Sequence, residues 1–188
     1  MMQVSADTKI QELKESVLKM AHLAGEDIRR RQSENKPFDD IVKFGLWFEE
    51  KYKYRYRNAH NHLVVKKGEI YNCNFGQNIG SEQNKCRPAL ILQNAAGNKF
   101  SPATIVAPIT DEQKKDLPVH VDLEGLKSNC SVHGKVLIEQ MRCVSKDRLG
   151  KKLDSIDTRS ESWHKIEEAI MIEFEIIKKD EKGVDIRS

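Results

Sequence analysis

Apolar and other side chains alternate along the centre of the chain, from residue 69 to residue 75, as they do in a half-buried β-strand. The alternation places Tyr71, Cys73 and Phe75 on one face of this segment and the residues between them on the other. Compact apolar runs bounded by turn residues follow, and such runs predict further antiparallel strands. These predicted strands occupy residues 88–92, 103–109, 119–123 and 135–138.

The connections between the first three predicted strands are polar and contain glycine. A loop from Gly76 to Cys86 joins the first strand to the second, and a Gly-Asn turn at 97–98 joins the second to the third. Arg87 stands where the loop meets the second strand, and Thr110 stands where the third strand ends. Polar side chains at such strand ends can point into a shared cleft while the apolar residues between them fill the core.

The N-terminal third has a helical periodicity instead. Residues 8–31 carry an apolar stripe with a three-four spacing, and Ser5 or Asp7 is placed to cap the helix that the stripe predicts. A second helix is predicted from Asp39 toward Tyr56, either paired with the first as a hairpin or packed on the strands. We interpret the stripe as the buried face of an amphipathic helix. A short coiled coil between subunits stays the alternative, because the repeat covers fewer than three heptads. The stripe consists of Ile10, Leu13, Val17, Met20 and Ala24.

Two helices are predicted after the last strand. Residues 145–153 indicate a short helix. Ser160 begins a capping signal for a final helix from Trp163 to about Lys178.

His120, which lies in an alternating strand, is interpreted as a surface residue rather than as a catalytic one.

The end of the second predicted helix is the most basic part of the chain. Residues 51–67 contain six Lys or Arg and neither Asp nor Glu. Cations interleaved with aromatic rings can bind single-stranded RNA through phosphate attraction and base stacking. The competing interpretation is a solvated helix end, because a period of two scatters residues around a helix and cations favour its C-terminal dipole. The interleaved residues are Tyr52, Lys53, Tyr54, Arg55, Tyr56 and Arg57.

Composition narrows the class of protein. The 188 residues are 32% charged with a net charge of +3, so a nucleic-acid site has to come from local clustering. The sequence contains no apolar run long enough for a membrane span and no signal-peptide pattern. Four cysteines without C-x-x-C spacing indicate reduced thiols, so we expect a cytoplasmic protein without a membrane partner. The cysteines are Cys73, Cys86, Cys130 and Cys143.

Four motifs follow one another between residues 66 and 149. They are KKGEIY at 66–71, GSEQNKCRP at 80–88, the segment from QN at 93 to PIT at 110, and LIEQMRCVSKDRL at 137–149. In order and spacing they resemble the MazF/PemK toxin family of sequence-specific endoribonucleases. The resemblance implies an α+β fold with a mainly β core: an SH3-like antiparallel barrel of the CcdB/PemK type with a C-terminal helix and an N-terminal two-helix extension. It also implies three regions, namely a helical extension and basic linker at 1–64, an endoribonuclease domain at 65–180 and a polar tail at 181–188.

RNA can be cut without a metal when its 2′-hydroxyl attacks the neighbouring phosphorus, which gives 2′,3′-cyclic phosphate and 5′-hydroxyl ends. The reaction needs an acceptor for the 2′ proton, a cation for the phosphorane charge and a donor for the leaving oxygen. Arg87 offers a planar cation that suits two phosphate oxygens, and Pro88 restricts it to an extended backbone. Thr110 offers a hydroxyl that can contact a non-bridging oxygen or position the 2′-hydroxyl.

The resemblance assigns roles to these positions. It implies that Arg87 and Thr110 are catalytic, and Glu82 is the carboxylate that we name as the base. A metal-independent endoribonuclease of this family needs no cofactor, acts on single-stranded RNA, forms a homodimer and is blocked by a cognate antitoxin. The residues that the resemblance places in contact with RNA or beside its groove are Ser81, Gln83, Gln140 and Arg142.

Other interpretations stay open. Taken alone, Arg87 and Thr110 are compatible with an ordinary surface arginine and an ordinary strand-end threonine. The same barrel also serves CcdB-like toxins that bind DNA gyrase, and a non-catalytic RNA-binding module is a third possibility. A metal nuclease is disfavoured because the sequence has no D-x-D or H-x-H cluster. Cys130 and His133 alone are weak support for a zinc site or a Cys–His hydrolase.

Overall fold

The computed structural model describes residues 5–31, 36–56, 63–111, 117–123 and 131–177. The chain divides into two compact units, Met1–Tyr56 and Arg57–Ser188, called here the helical unit and the sheet unit. The predicted division at residues 64, 65 and 180 stays a prediction. Among the residues that the structure describes, none of the helices combines the length and the apolar character needed to cross a bilayer.

The helical unit contains α1 (Ala6–Arg31) and α2 (Lys36–Arg55). The Ser5 hydroxyl accepts a hydrogen bond from the backbone N–H of Thr8 at 3.2 Å, as the predicted cap requires. The two helices pack against each other, and Ala24 and Trp47 are the buried apolar residues of the described part of this unit. The predicted stripe of α1 is less well covered, since Ile10, Leu13, Val17 and Met20 are 43–54% exposed.

The sheet unit is built on one antiparallel sheet with the strand order β4-β5-β3-β2-β1-β7, in which β6 also pairs with β3. This mixed architecture, with a helix at each end of the chain and an antiparallel sheet between, confirms the predicted fold class. The strands are β1 (Glu69–Gly76), β2 (Lys85–Ile91), β3 (Ala103–Thr110), β4 (His120–Asp122), β5 (Lys135–Leu137), β6 (Arg142–Ser145) and β7 (Leu149–Ser155). Its helices are α3 (Ala95–Phe100) and α4 (Glu161–Glu173), with 3₁₀ turns at Ile138–Gln140 and Lys146–Arg148.

Alternation along the strands sorts the buried residues onto two faces. One cluster includes Ile70, Leu90 and Ile109, and α4 covers it with Trp163 and Ile166. Helix α4 begins at the predicted cap, where the Ser160 hydroxyl accepts from the N–H of Trp163 at 3.2 Å. The other face carries the predicted Tyr71, Cys73 and Phe75 together with residues of four further strands. Those partners are Ala89, Ile91, Val106, Val144 and Leu149.

Two local predictions are wrong, and one strand was missed. The turn predicted at 97–98 lies within α3, whose first turn is capped by the Asn94 side chain accepting from the N–H of Gly97 at 2.8 Å. The helix predicted at 145–153 is only a 3₁₀ turn followed by β7, because residues such as Lys152 pair with β1 instead. The short strand β6 was not predicted at all, and it exists through its pairing with β3.

His120 is also not the surface residue that the sequence suggested. Its ring is 4% exposed, and its Nε2 lies 3.1 Å from Oε1 of Glu139. Strand β4 pairs His120 with Leu137, and the 3₁₀ turn that follows Leu137 brings Glu139 over the ring. The alternation correctly predicted a strand here, but it did not show which face a later turn would cover.

Candidate active site

Adjacent strands bring Arg87 and Thr110 together. Strands β2 and β3 pair Ala89 with Pro108, and two more residues along the same register place Arg87 opposite Thr110. Nη1 of Arg87 donates to Oγ1 of Thr110 at 3.4 Å. Thr110 is 2% exposed and Arg87 is half-buried, so the sheet encloses the threonine and leaves the arginine partly accessible.

A second contact orients the Arg87 side chain. Its Nε donates to the carbonyl oxygen of Asn84 at 2.9 Å, and Lys85 between them has a left-handed φ of 66°. A non-glycine residue in that conformation costs about 1–2 kcal/mol. The strain coincides with a shift in the β1–β2 register at the point where Gly76 pairs with Lys85. The guanidinium has N–H donors beyond these two contacts, and those remain for an anion.

The loop between β1 and β2 places the other predicted residues next to this pair. Ser81 and Glu82 are exposed, and Oε2 of Glu82 lies 3.7 Å from Nη2 of Arg142. Gln83 is 4% exposed, and its backbone N–H donates to Oε1 of Gln140 at 3.4 Å. The loop thus brings Glu82 next to Arg142 and Gln83 next to Gln140.

Aromatic packing supports Arg142 in this cluster. Its Cζ lies 5.7 Å from the centre of the Phe75 ring, within cation–π range. Phe75 is fully buried in the sheet core, so the ring gives the arginine a fixed base. An exposed ion pair such as Glu82–Arg142 contributes about 0–1 kcal/mol, and an approaching phosphate can therefore displace the carboxylate at little cost.

Two of the predicted RNA contacts of the extension, Lys53 and Arg55, lie in the helical unit. Nζ of Lys53 is 2.8 Å from Oε1 of Glu49, and this pair raises the pKa of Lys53 and lowers that of Glu49. Arg55 is exposed at the end of α2, whereas Arg57 lies outside the described residues. Lys53 and Arg55 thus belong to the helical unit, whereas Arg87 belongs to the sheet unit.

The three tyrosines at and just after the end of α2 do not form one surface. Tyr52 and Tyr56 are exposed and their ring centres are 4.6 Å apart. Tyr54 instead meets the buried Trp47 edge to face, with centroids 6.3 Å apart. The helical period explains this division, since a spacing of four keeps two side chains on one face and a spacing of two does not.

A pocket of about 490 Å³ opens beside Arg87 and contains residues that the sequence analysis did not select. Since Cys86 and Asp111 alternate with Arg87 and Thr110 along their strands, the pocket belongs to the opposite face of β2 and β3. His133 joins it from the segment before β5. No sequence signal predicted this contact, because it depends on strand pairing over more than twenty residues. The lining residues are Cys86, Arg87, Pro88, Ile109, Asp111, Val132 and His133.

Among the residues that the structure describes, few observations support a metal site or a reactive cysteine. No three His, Cys, Asp or Glu residues within them are grouped so as to hold a metal ion. Burial raises the pKa of the Cys73 thiol to about 12, so this cysteine is an inert core residue at neutral pH. Cys86 and Cys143 are exposed free thiols, and Cys130 lies outside the described residues.

Fold and site together define a class: small proteins in which an antiparallel sheet presents an arginine and a threonine at neighbouring strand ends under a polar loop. The family model for the PemK-like, MazF-like toxins of type II toxin–antitoxin systems matches residues 66–174. The chain therefore belongs to this family. The match leaves out α1 and α2 and includes strands β1 to β7 and helix α4.

Known relatives agree with the family model. The chain is 38% identical over 116 residues to endoribonuclease EndoA of Bacillus subtilis (strain 168), which covers 61% of this chain and 98% of that protein. It is 41% identical over 91 residues to endoribonuclease MazF of Staphylococcus epidermidis, covering 48% of this chain and 76% of the relative. The crystal structure of MazF (Form-I) from Deinococcus radiodurans is 25% identical, with a TM-score of 0.50 over 58% of this chain and 94% of that one.

Proposed function

We propose that this protein is a toxin that cuts single-stranded RNA at a short sequence without a metal ion. The observation that carries the proposal is the contact between Arg87 and Thr110 at the ends of two paired strands. The names of the two relatives, both endoribonucleases, support the same activity. The alternative of a CcdB-like gyrase-binding toxin is not favoured, because neither relative carries such a name.

In the proposed reaction, the 2′-hydroxyl of the substrate attacks the adjacent phosphorus and displaces the 5′-oxygen. Arg87 stabilises the charge that develops on the phosphorane oxygens, and its position is limited by the contacts to Asn84 and Thr110. Thr110 directs its hydroxyl to a non-bridging oxygen or to the 2′-hydroxyl. Glu82 accepts the 2′ proton after its carboxylate separates from Arg142. The expelled 5′-oxygen takes a proton from water, so the products are a 2′,3′-cyclic phosphate and a 5′-hydroxyl.

The loop and the strand-end cluster form the proposed RNA groove. Ser81 offers an exposed hydroxyl, and Arg142 offers a guanidinium that can bind an RNA phosphate in place of the Glu82 carboxylate. Gln140 holds the backbone of Gln83, so both glutamines set the position of the loop from which RNA is contacted. We assign a weaker, sequence-independent role to Lys53, Arg55 and Arg57, as phosphate contacts of the extension.

The family also supports partners and a location. A toxin of a type II toxin–antitoxin system is expected to bind a cognate antitoxin protein, and we propose that this antitoxin blocks the RNA groove. We further propose a homodimer and a cytoplasmic location, where messenger RNA is the available substrate.

The test is cleavage of a long unstructured RNA by purified protein in excess EDTA, followed by analysis of the fragment ends. We expect cleavage to continue and the fragments to carry 5′-hydroxyl ends that a polynucleotide kinase labels directly. Activity that disappears in EDTA and returns with magnesium would overturn the mechanism. RNA binding without cleavage would favour the non-catalytic module instead.

A further inference from the structure

Asn78 connects the two sides of the loop that joins β1 to β2. Its Nδ2 donates to the carbonyl oxygen of Phe75 at 3.1 Å and to that of Gln83 at 2.7 Å. Its backbone N–H donates to Oδ1 of Asn84 at 2.5 Å. Asn78 therefore holds the end of β1, the far side of the loop and the residue before Lys85 in one arrangement.

Asn84 connects this arrangement to the guanidinium. Its Oδ1 accepts the bond from Asn78, its Nδ2 donates to the carbonyl oxygen of Glu82 at 3.0 Å, and its own carbonyl accepts from Nε of Arg87 at 2.9 Å. Both asparagines are half-buried, so water competes only partly for these bonds. The left-handed Lys85 directly after Asn84 is a strained residue that the surrounding bonds must hold in place.

We propose that Asn78 and Asn84 form a clasp that positions Arg87 for stabilising the scissile phosphate, so that both are positioning residues of the reaction. The inference rests on the proposed ribonuclease function. The hydrogen bonds of the clasp fix the carbonyl that receives Nε, and Thr110 fixes Nη1. Two anchored nitrogens determine the plane of a guanidinium, and catalysis loses about a hundredfold when a group is displaced by an ångström.

The clasp also supports the neighbouring part of the loop. Because Nδ2 of Asn84 holds the carbonyl of Glu82, the backbone from which the proposed base extends is linked to the same pair of asparagines. The backbone N–H of Glu82 donates to the carbonyl of Ile79 at 3.3 Å, which closes a turn inside the loop. The bond from Asn84 to Glu82 is separate from the bond by which the carbonyl of Asn84 holds Arg87.

Two substitutions of equal charge and shape test the proposal. In Asn78→Asp the carboxylate cannot donate to the carbonyls of Phe75 and Gln83, so the clasp opens. In Asn84→Asp the acceptor for the N–H of Asn78 remains, and only the bond to Glu82 is lost. Since both variants add the same negative charge near the site, their difference isolates the clasp from simple repulsion of RNA.

The first measurement is steady-state cleavage by the full-length protein. We expect kcat of Asn78→Asp to be about tenfold or more below that of Asn84→Asp, with KM values within about twofold, because the loss lies in transition-state positioning. Equal kcat values for the two variants would overturn the proposal. If Asn78→Asp does not fold, Asn78→Ala replaces it and is compared with the wild-type protein, because neither of these two carries an added charge; an unchanged kcat would then overturn the proposal.

A second measurement requires no RNA and separates the proposal from the assigned function. In the ¹⁵N-labelled wild-type protein, exchange of the Arg87 Nε–H with water should be slow, and in Asn78→Asp it should accelerate about tenfold or more. Unchanged exchange would refute the clasp even in an active enzyme. A wild-type protein with protected Nε–H and no ribonuclease activity would overturn the proposed function and leave the clasp standing.

A double-substitution cycle shows whether the clasp acts through Arg87. Lysine at this position keeps the charge but has no Nε–H for the Asn84 carbonyl. In an Arg87→Lys background we therefore expect Asn78→Asp to change kcat by less than about twofold. The same loss in both backgrounds would mean that Asn78 acts independently of Arg87, and the proposal would be wrong.

Discussion

The sheet unit and the helical unit bury their apolar side chains to very different extents. In the sheet unit, large side chains such as Trp163, Phe75 and Leu90 are completely enclosed. In the helical unit, apolar burial in the described part is limited to Ala24 and Trp47, and residues such as Leu18 and Phe48 stay more than half exposed. In the sheet unit, the half-buried asparagines of the β1–β2 loop are also held by hydrogen bonds to backbone groups.

The difference in burial suits the two units to different tasks. A catalytic arginine needs a scaffold that holds it within a fraction of an ångström, and a densely packed sheet supplies one. The helical unit has too little buried apolar area for comparable local stability, so its folding free energy has to be small by itself. We expect substitutions to show this contrast directly.

The largest expected effect comes from removing the tryptophan of each unit in turn. Trp163→Ala should lower the free energy of unfolding of the sheet unit by about 3–5 kcal/mol, because it leaves a cavity under α4 and removes the indole N–H that donates to Glu167. Trp47→Ala should cost on the order of 1 kcal/mol and act only on helicity. Urea unfolding followed by circular dichroism and by fluorescence of the remaining tryptophan measures both.

Trp163→Phe is the matched control, since it retains most of the buried volume. If Trp47→Ala destabilised the sheet unit as much as Trp163→Ala, the two units would unfold as one and the contrast drawn above would be wrong.

Arg87 and Thr110 give the next largest effect. Arg87→Ala and Thr110→Val should each lower kcat about 100- to 1,000-fold, the usual loss for one group that contacts the transition state. The melting temperature should change little for Arg87→Ala. Arg159→Ala, which removes an exposed arginine paired with Asp157, should cleave like the wild type, and Thr110→Ser should retain much of the activity. If both Arg87→Ala and Thr110→Val cleaved RNA at the wild-type rate, the active site would lie elsewhere.

A smaller effect is expected from the cations of α2. Replacing Lys51, Lys53 and Arg55 by Gln should raise KM about two- to tenfold and flatten its salt dependence, with kcat little changed, because phosphate attraction is lost and chemistry is not. The matched control replaces three lysines of α1 instead, namely Lys9, Lys14 and Lys19. Equal effects of the two triple variants would show that only net charge matters and that α2 is not an RNA contact.

The smallest expected effect is on the strained residue of the loop. Lys85→Gly should stabilise the sheet unit by about 1 kcal/mol or less, since glycine adopts the positive φ without a steric cost. Thermal unfolding measures the shift. Lys99→Gly provides the opposite sign, because Lys99 is helical and glycine destabilises a helix by about 1 kcal/mol. If Lys85→Gly were less stable than the wild type, the lysine side chain would stabilise the fold by more than the relief of backbone strain.

The sequence alone determined the elements whose signals are local. Alternation identified β1 and the face of Tyr71, Cys73 and Phe75, and the three-four spacing identified α1 and α2. The cap at Ser160 was also readable, because a capping bond spans only three residues. The resemblance of four ordered motifs selected Arg87 and Thr110, and the catalytic roles of these residues stay predictions until they are measured.

Only the tertiary structure decided the features that depend on distant partners. Residues 149–153 have an ambiguous pattern, and they became part of β7 because β1 offered a free edge for hydrogen bonding. His120 became buried because the turn after β5 placed Glu139 over it. The clasp of Asn78 and Asn84 was invisible in the sequence, since an asparagine in a polar loop predicts a turn and not a particular partner. Its role follows from the register that brings the loop against Arg87, and register is set by packing across the whole sheet.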